Sequence, residues 1–143
     1  MKLQQLSLFM ENKPGALRAP CDALAAAGID LLTMSLADTT SFGILRFIVS
    51  DPAAAKKVLE EAGMVVRTTE VVPVEVSNTP GGLAQALGAI EDAGLAVEYM
   101  YDFGAACQGG KAAIVFRFED PDRAIEALQK AGVRILSREE LVQ

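Results

Sequence analysis

The chain has 143 residues, 51% of them hydrophobic, with 13 basic and 19 acidic side chains, a net charge of −6, two cysteines and no histidine. That content suffices for one ordinary domain or two very small ones, and no stretch approaches the roughly 18 apolar residues of a membrane-spanning helix. With no imidazole, Ser-His and Cys-His catalytic pairs are excluded; the charge balance, 7 basic to 8 acidic residues through Glu70 and 6 to 11 after it, argues against binding nucleic-acid phosphates or an anionic membrane.

The opening Met1-Lys2-Leu3-Gln4-Gln5-Leu6 is too polar for a signal peptide, so a soluble protein of the cytoplasm is expected. Residues 3–10 alternate as a strand, with Leu6, Leu8 and Met10 on one face. A helix is predicted from about Gly15 to Ala27, carrying a stripe of Leu17, Cys21 and Leu24 and stopped by Gly28. Pro20 falls inside it and removes a helical hydrogen bond, which gives either a bent helix start or a reshaped ligand-facing loop. Leu31–Asp38 and Phe42–Ser50 are strands around a polar turn. Asp51-Pro52 opens a helix with Ala55, Val58, Leu59 and Ala62 inward, Gly63 ends it, and Met64–Val71 is a strand.

The plan then starts again. Residues 71–76 form a strand, and a helix over about 80–93 bears Leu83, Leu87 and Ile90 on one side. Strands at 95–103 and 111–118 flank the Gly104–Gly110 loop, which lacks the spacing and the Lys-Ser/Thr pair of a phosphate loop. A helix at about 121–131 turns Ile125 and Leu128 inward. Val133–Leu136 is the expected last strand, and Arg138–Gln143 is a short tail in which Glu139 and Glu140 are solvated. Cys21 reads as a buried small apolar residue and Cys107 as a loop residue; neither has a CxxC partner, so no disulfide framework, metal site or other cofactor is expected.

The second half copies the first. Glu11-Asn12-Lys13-Pro14-Gly15-Ala16-Leu17 returns 66 residues later as Ser77-Asn78-Thr79-Pro80-Gly81-Gly82-Leu83, and Ala27-Gly28-Ile29 as Ala93-Gly94-Leu95. Asp51-Pro52 matches Asp120-Pro121 and Ala62-Gly63 matches Ala131-Gly132 at an offset of 69, so one three-residue length difference lies near the middle hairpin. The fold class is therefore α+β, two βαββαβ units over 1–70 and 71–143, each an antiparallel four-stranded sheet with two helices on one face. The valine-rich tract from Val65 to Val76 leaves little room for a linker, so the units are expected to be closely coupled. Their small cores and open edges favour pairing with another copy, a homodimer.

The repeated turn is the candidate site. Asn12 or Asn78 is suited to cap backbone donors, and the Pro-Gly pair fixes a tight helix entrance whose unpaired N–H groups suit a carboxylate. The same turn is also a common strand-to-helix connection, and Leu17 and Leu83 read more readily as core anchors than as specificity residues. Asp30 is placed to meet an ammonium group, but Ala96 is its counterpart, so at most one copy uses it. On the neighbouring strands Met34, Ser35 and Leu36 match Met100, Tyr101 and Asp102; alternate members either line a pocket or pack the interface.

Together the βαββαβ order, the stretches Asn12-Lys13-Pro14-Gly15-Ala16-Leu17 and Asn78-Thr79-Pro80-Gly81-Gly82-Leu83, and the glycines Gly28 and Gly94 make the chain resemble the ACT-domain family over almost its whole length. The resemblance implies ferredoxin-like regulatory units of the small stand-alone type. It implies that the turns at 12–17 and 78–83 face amino-acid sites at interfaces between domains, and that the second strand of a partnering domain supplies the opposing wall. The leading expectation is a non-catalytic regulator binding a free amino acid or similar small carboxylate and signalling to a metabolic enzyme or regulator. The alternatives are a structural or protein-interaction adaptor and, third, an acylphosphatase-like enzyme. That enzyme needs a positioned arginine in a phosphate loop; Arg18 follows the first turn, but its counterpart is Ala84.

Overall fold

The computed structural model describes residues 2–38, 41–104 and 109–142. In chain order these form β1 (Leu3–Glu11), α1 (Arg18–Ala26), β2 (Leu31–Asp38), β3 (Phe42–Val49), α2 (Pro52–Glu61), β4 (Val66–Ser77), α3 (Gly82–Asp92), β5 (Val97–Asp102), β6 (Lys111–Phe118), α4 (Pro121–Lys130) and α5 (Arg138–Leu141). The chain divides into two compact units, residues 4–69 and residues 1–3 with 70–143. The division falls inside β4, so the chain passes from one unit to the other along a strand rather than a loop.

In the first unit the strands run in the order β2-β3-β1-β4. Alternation along β1 and β3 brings like faces together: Leu6 lies opposite Phe47 and Leu8 opposite Leu45. These side chains are buried with Leu24 of α1 and with Ala55 and Leu59 of α2. Burying a leucine of this kind contributes about 1.5–3 kcal/mol. The second unit repeats the arrangement. Val72, Val74 and Val76 of β4 face Phe116, Ile114 and Ala112 of β6, over Ala86, Ile90, Ala124 and Leu128. The rings of Phe116 and Phe118 stack with centroids 5.7 Å apart. Lys2 reaches Glu70 and Asp122, each at 2.9 Å, and these carboxylates hold its ammonium well above its usual pKa.

Both second helices start alike. Asp51 accepts from the Ala54 N–H at 3.1 Å and Asp120 from the Arg123 N–H at 3.2 Å, each followed by proline in the first turn.

Three elements differ from the sequence expectation. The first helix starts at Arg18, not Gly15, which puts Pro20 in the first turn, where no helical carbonyl awaits its absent N–H. The strand expected at 133–136 is a single bridge, Ile135 to Val74, beside backbone bonds from Glu75 to Arg134 and from Leu136 to Pro73. The tail expected after Arg138 is a helical turn with a Ser137/Glu140 capping box and a buried Leu141. Glu140 is accordingly not a free surface charge. It pairs with Arg134, which also holds Glu75 at 2.7 Å; both carboxylates raise the Arg134 pKa.

Candidate functional site

In the second unit β4 ends at Ser77 and the chain turns through Asn78-Thr79-Pro80-Gly81 into α3. The hydroxyls of Ser77 and Thr79 are 2.8 Å apart, the Gly82 N–H donates to the Thr79 carbonyl, and the Asn78 N–H donates to the Gly110 carbonyl at 2.7 Å. Gly81 has φ +87°, a left-handed conformation open to glycine. A Cβ on Gly82 would lie 1.8 Å from the Ser77 carbonyl oxygen, so the close approach of helix start to strand end requires glycine there as well. Gln85 donates to Gly81, while the N–H groups of Leu83 and Ala84 have no partner among the described residues. They carry the positive end of the helix dipole.

A cleft of about 460 Å³ opens beside this turn, within the size range of small-molecule sites. Ser77, Asn78 and Thr79 give it a polar rim. Val76, Leu83, Ala112 and Ile114 give it an apolar floor, and Asp102 is the charged side chain among its described lining residues. Asp102 gets there by register: it pairs with Ile114, while Met100 pairs with Phe116, which places both on the helix-covered face. Tyr101 pairs with Val115 and so faces the other way.

The expected site residues therefore separate. Asn78, Thr79 and Leu83 line the cleft, and Pro80, Gly81 and Gly82 shape the turn beside it. Met100 shares the face without lining the cleft, and Tyr101, like Ser35 opposite Arg46 in the first unit, lies on the far face. Neither asparagine caps a helix through its side chain: the cap positions are Leu17 and Gly81, with no side-chain bond at either. Each asparagine instead donates its backbone N–H across to the hairpin, Asn12 to Ser41 and Asn78 to Gly110. Asp102 is one of the three strand residues whose alternate members are expected to line a pocket or pack the interface, and its register with Ile114 brings it to the cleft.

The first unit keeps the frame and changes the walls. Gly15 has φ +88°, Ala16 donates to Lys13 and Ala19 to Gly15, and the N–H groups of Leu17 and Arg18 have no partner among the described residues. Lys13 and Glu11 form an ion pair at 3.3 Å where the second unit has two hydroxyls, and Pro14 is exposed. Leu36 stands where the second unit has Asp102. Leu17 is 42% exposed rather than a core anchor, whereas Leu83 is half-buried against the core. Met34 borders an apolar hollow with Pro20, Cys21, Leu24 and Phe47, and Cys21 is half-buried.

Asp30 is at the wrong end of the unit to share a small ligand with its own turn. It is bonded to Ser50, beyond one end of β3, while the turn is tied to Ser41 beyond the other, roughly 30 Å away along the strand. Its counterpart Ala96 lines a separate cleft of about 620 Å³ with Glu98 and Arg123. Arg18, the lone arginine after a turn, is paired with Asp22 at 3.2 Å. Cys107 and most of the Gly104–Gly110 loop lie outside the described residues. Among the described residues no acidic or cysteine cluster could hold a metal ion, and no helix is long and apolar enough to cross a membrane.

Comparison with known proteins accords with this architecture. A crystal structure of a Bacteroides thetaiotaomicron protein is 38% identical, covers 100% of this chain and 97% of its own, and superimposes with a TM-score of 0.91. The ligand-free regulatory subunit of aspartate kinase from Thermus thermophilus is 18% identical over 91% of this chain and 92% of its own, with a TM-score of 0.59. Aspartate kinase from Synechocystis is 22% identical over 94% of this chain but only 26% of its own, also with a TM-score of 0.59. The last two share the fold. No curated protein matches the chain. The family model for an ACT domain pair matches residues 1–143, and the chain belongs to that family.

Proposed function

We propose that this ACT domain pair is a non-catalytic regulator that binds a free amino acid at its second helix entrance and passes the occupancy to a metabolic enzyme or another regulator. The observation that carries this reading is the pair of N–H groups at Leu83 and Ala84, without a partner among the described residues, beside the 460 Å³ cleft. Directed donors at a helix start suit a carboxylate. The fold shared with an aspartate kinase regulatory subunit supports the same role. Regulation further requires that the ligand bind two states of the protein unequally. Calorimetric titration of the folded chain with each standard amino acid tests the first step. Specific heat from at least one is expected; none from any of the twenty would reject the reading.

A second reading, a protein-interaction adaptor, is favoured by the exposed apolar side chains of the first unit. Leu17, Met34 and Leu36 are 42%, 50% and 50% exposed, and the last two belong to β2, the outer strand. A homodimer built on that edge would cover them. Light scattering across a concentration series, comparing the intact chain with Leu36→Lys, tests it; a monomer in both proteins would remove this support.

A further inference from the structure

We propose that two copies of the chain pair through the open face of the first-unit sheet, the face away from its helices. Phe9, Phe42 and Val65 form the centre of this contact, with Glu11 of each copy set against Arg67 of the other. The surface is separate from the β2 edge, and its use does not depend on a ligand. Leu6, Leu8 and Met10 pack under the helices, so Phe9 and Glu11 of the same strand turn to the open side. Phe9 lies opposite Ile44 and Glu11 opposite Phe42, which puts both phenylalanines there. Val66 is buried in the core, so Val65 and Arg67 on either side of it turn the other way, and the Arg67 guanidinium sits 5.7 Å from the centre of the Phe9 ring. Phe9 and Phe42 are each 58% exposed, and Val65 is 75% exposed.

The second unit shows that the fold does not require this. At the repeat offsets, Phe9, Val65 and Phe42 become Glu75, Arg134 and Lys111, and Glu75 pairs with Arg134 at 2.7 Å. Three apolar side chains in place of three charged ones, gathered on one exposed face, indicate a surface that another protein covers. The charges around it identify the occupant. Glu75 is bonded to Arg134 through the main chain and Val74 bridges Ile135, so the same correspondence sets Val65 level with Phe9 and Arg67 level with Ser7. Glu11 therefore flanks the apolar centre at one end and Arg67 at the other, where Arg46 also stands opposite Ser7. Arg67 has no carboxylate partner among the described residues. Glu11 is held by Lys13 in an exposed ion pair, an attachment worth little. A twofold axis lying across the strands brings each end of one face onto the opposite end of the other, apolar on apolar and cation on anion. Such a face complements itself, and the contact closes at two copies. Docked on the second unit of another copy, it would strip water from Glu75, Arg134 and Lys111 without supplying enough charge in return.

The test is sedimentation of the intact chain over a concentration series, and a monomer–dimer equilibrium is expected. Phe9→Glu and Val65→Arg, which copy the second unit, should each raise the dimer dissociation constant by at least about tenfold. Both positions are exposed, so melting temperatures should hold; should Phe9→Glu lower its own, Val65→Arg decides. Arg67→Glu should weaken the dimer by about fivefold, and adding Glu11→Arg to it should restore pairing to within about twofold of the unaltered chain. Leu36→Lys, on the β2 edge, should leave the dimer intact. A monomer at every concentration, a dimer indifferent to both Phe9→Glu and Val65→Arg, or one that Leu36→Lys breaks overturns the inference. So does a double charge reversal that fails to restore pairing. None of these outcomes bears on the amino-acid reading, which the calorimetric titration tests separately.

Discussion

The two helix entrances share a backbone and differ in chemistry. Gly15 and Gly81 take nearly the same left-handed φ, +88° and +87°, and each asparagine N–H is tied to its hairpin. Yet α3 begins at Gly82 while α1 begins at Arg18, two positions later once the 66-residue offset is removed. The difference follows from one side chain. Gly82 lets the helix start press against the Ser77 carbonyl, whereas Ala16 at the matching place carries a Cβ that such an approach would not admit. A duplicated fold can thus hold its frame through backbone bonds while a single substitution shifts where a helix begins.

The comparison is most severely tested where the copies agree. Leu59 and Leu128 are 69 residues apart, both fully buried on second helices. Leu59→Ala and Leu128→Ala should each cost about 2–5 kcal/mol in urea denaturation; a negligible loss at one of them would show that the cores are not equivalent. Where the copies differ, so should the response. Gly82→Val should cost about 1–3 kcal/mol by forcing the turn apart, and Ala16→Gly less than about 1 kcal/mol. Comparable losses would remove the steric account of the offset helix start.

A smaller and symmetric effect belongs to the caps. Asp51→Ala and Asp120→Ala should each lower stability by about 0.5–2 kcal/mol, measured by thermal melting. The smallest effect concerns Glu140, beyond the last matched repeat positions. Bonds from the Ser137 backbone N–H, then the Ser137 hydroxyl and Arg134, lower its pKa despite some desolvation. A carboxyl whose folded pKa lies below its unfolded one stabilises above the unfolded value, and that contribution fades as pH falls through the folded value. Glu140→Gln should therefore flatten a shallow acid-side decline in melting temperature. An identical decline in the variant would assign it to other carboxyls.

The βαββαβ order was legible because its punctuation is local: glycine after each helix and Asp-Pro before each second one need nothing distant to act. The walls of the cleft were harder. Tyr101 and Asp102 are adjacent in sequence, and only cross-strand register with Val115 and Ile114 decides which of them meets the turn. Asp30 is suggested by its closeness to Gly28, yet it lies before β2 and is tied to Ser50 at the end of β3 away from its own turn, a separation that spacing along the chain does not reveal. The Asn12 and Asn78 side chains suggested capping by residue type, whereas their main-chain N–H groups make the common contact. A propensity describes what a side chain favours and is silent when the backbone acts.

That last contact has an awkward consequence for mutational surveys. The bond from Asn78 to Gly110, like that from Asn12 to Ser41, joins two main-chain groups. Replacing either asparagine with alanine leaves both partners in place, so a scan of side chains would score the position as silent while the hairpin stayed fastened to the turn. Removing the N–H itself, by a proline or by an ester in place of the amide at residue 78, would cut the fastening. Much of what the repeats have in common is written in main-chain atoms that a scan of side chains does not reach.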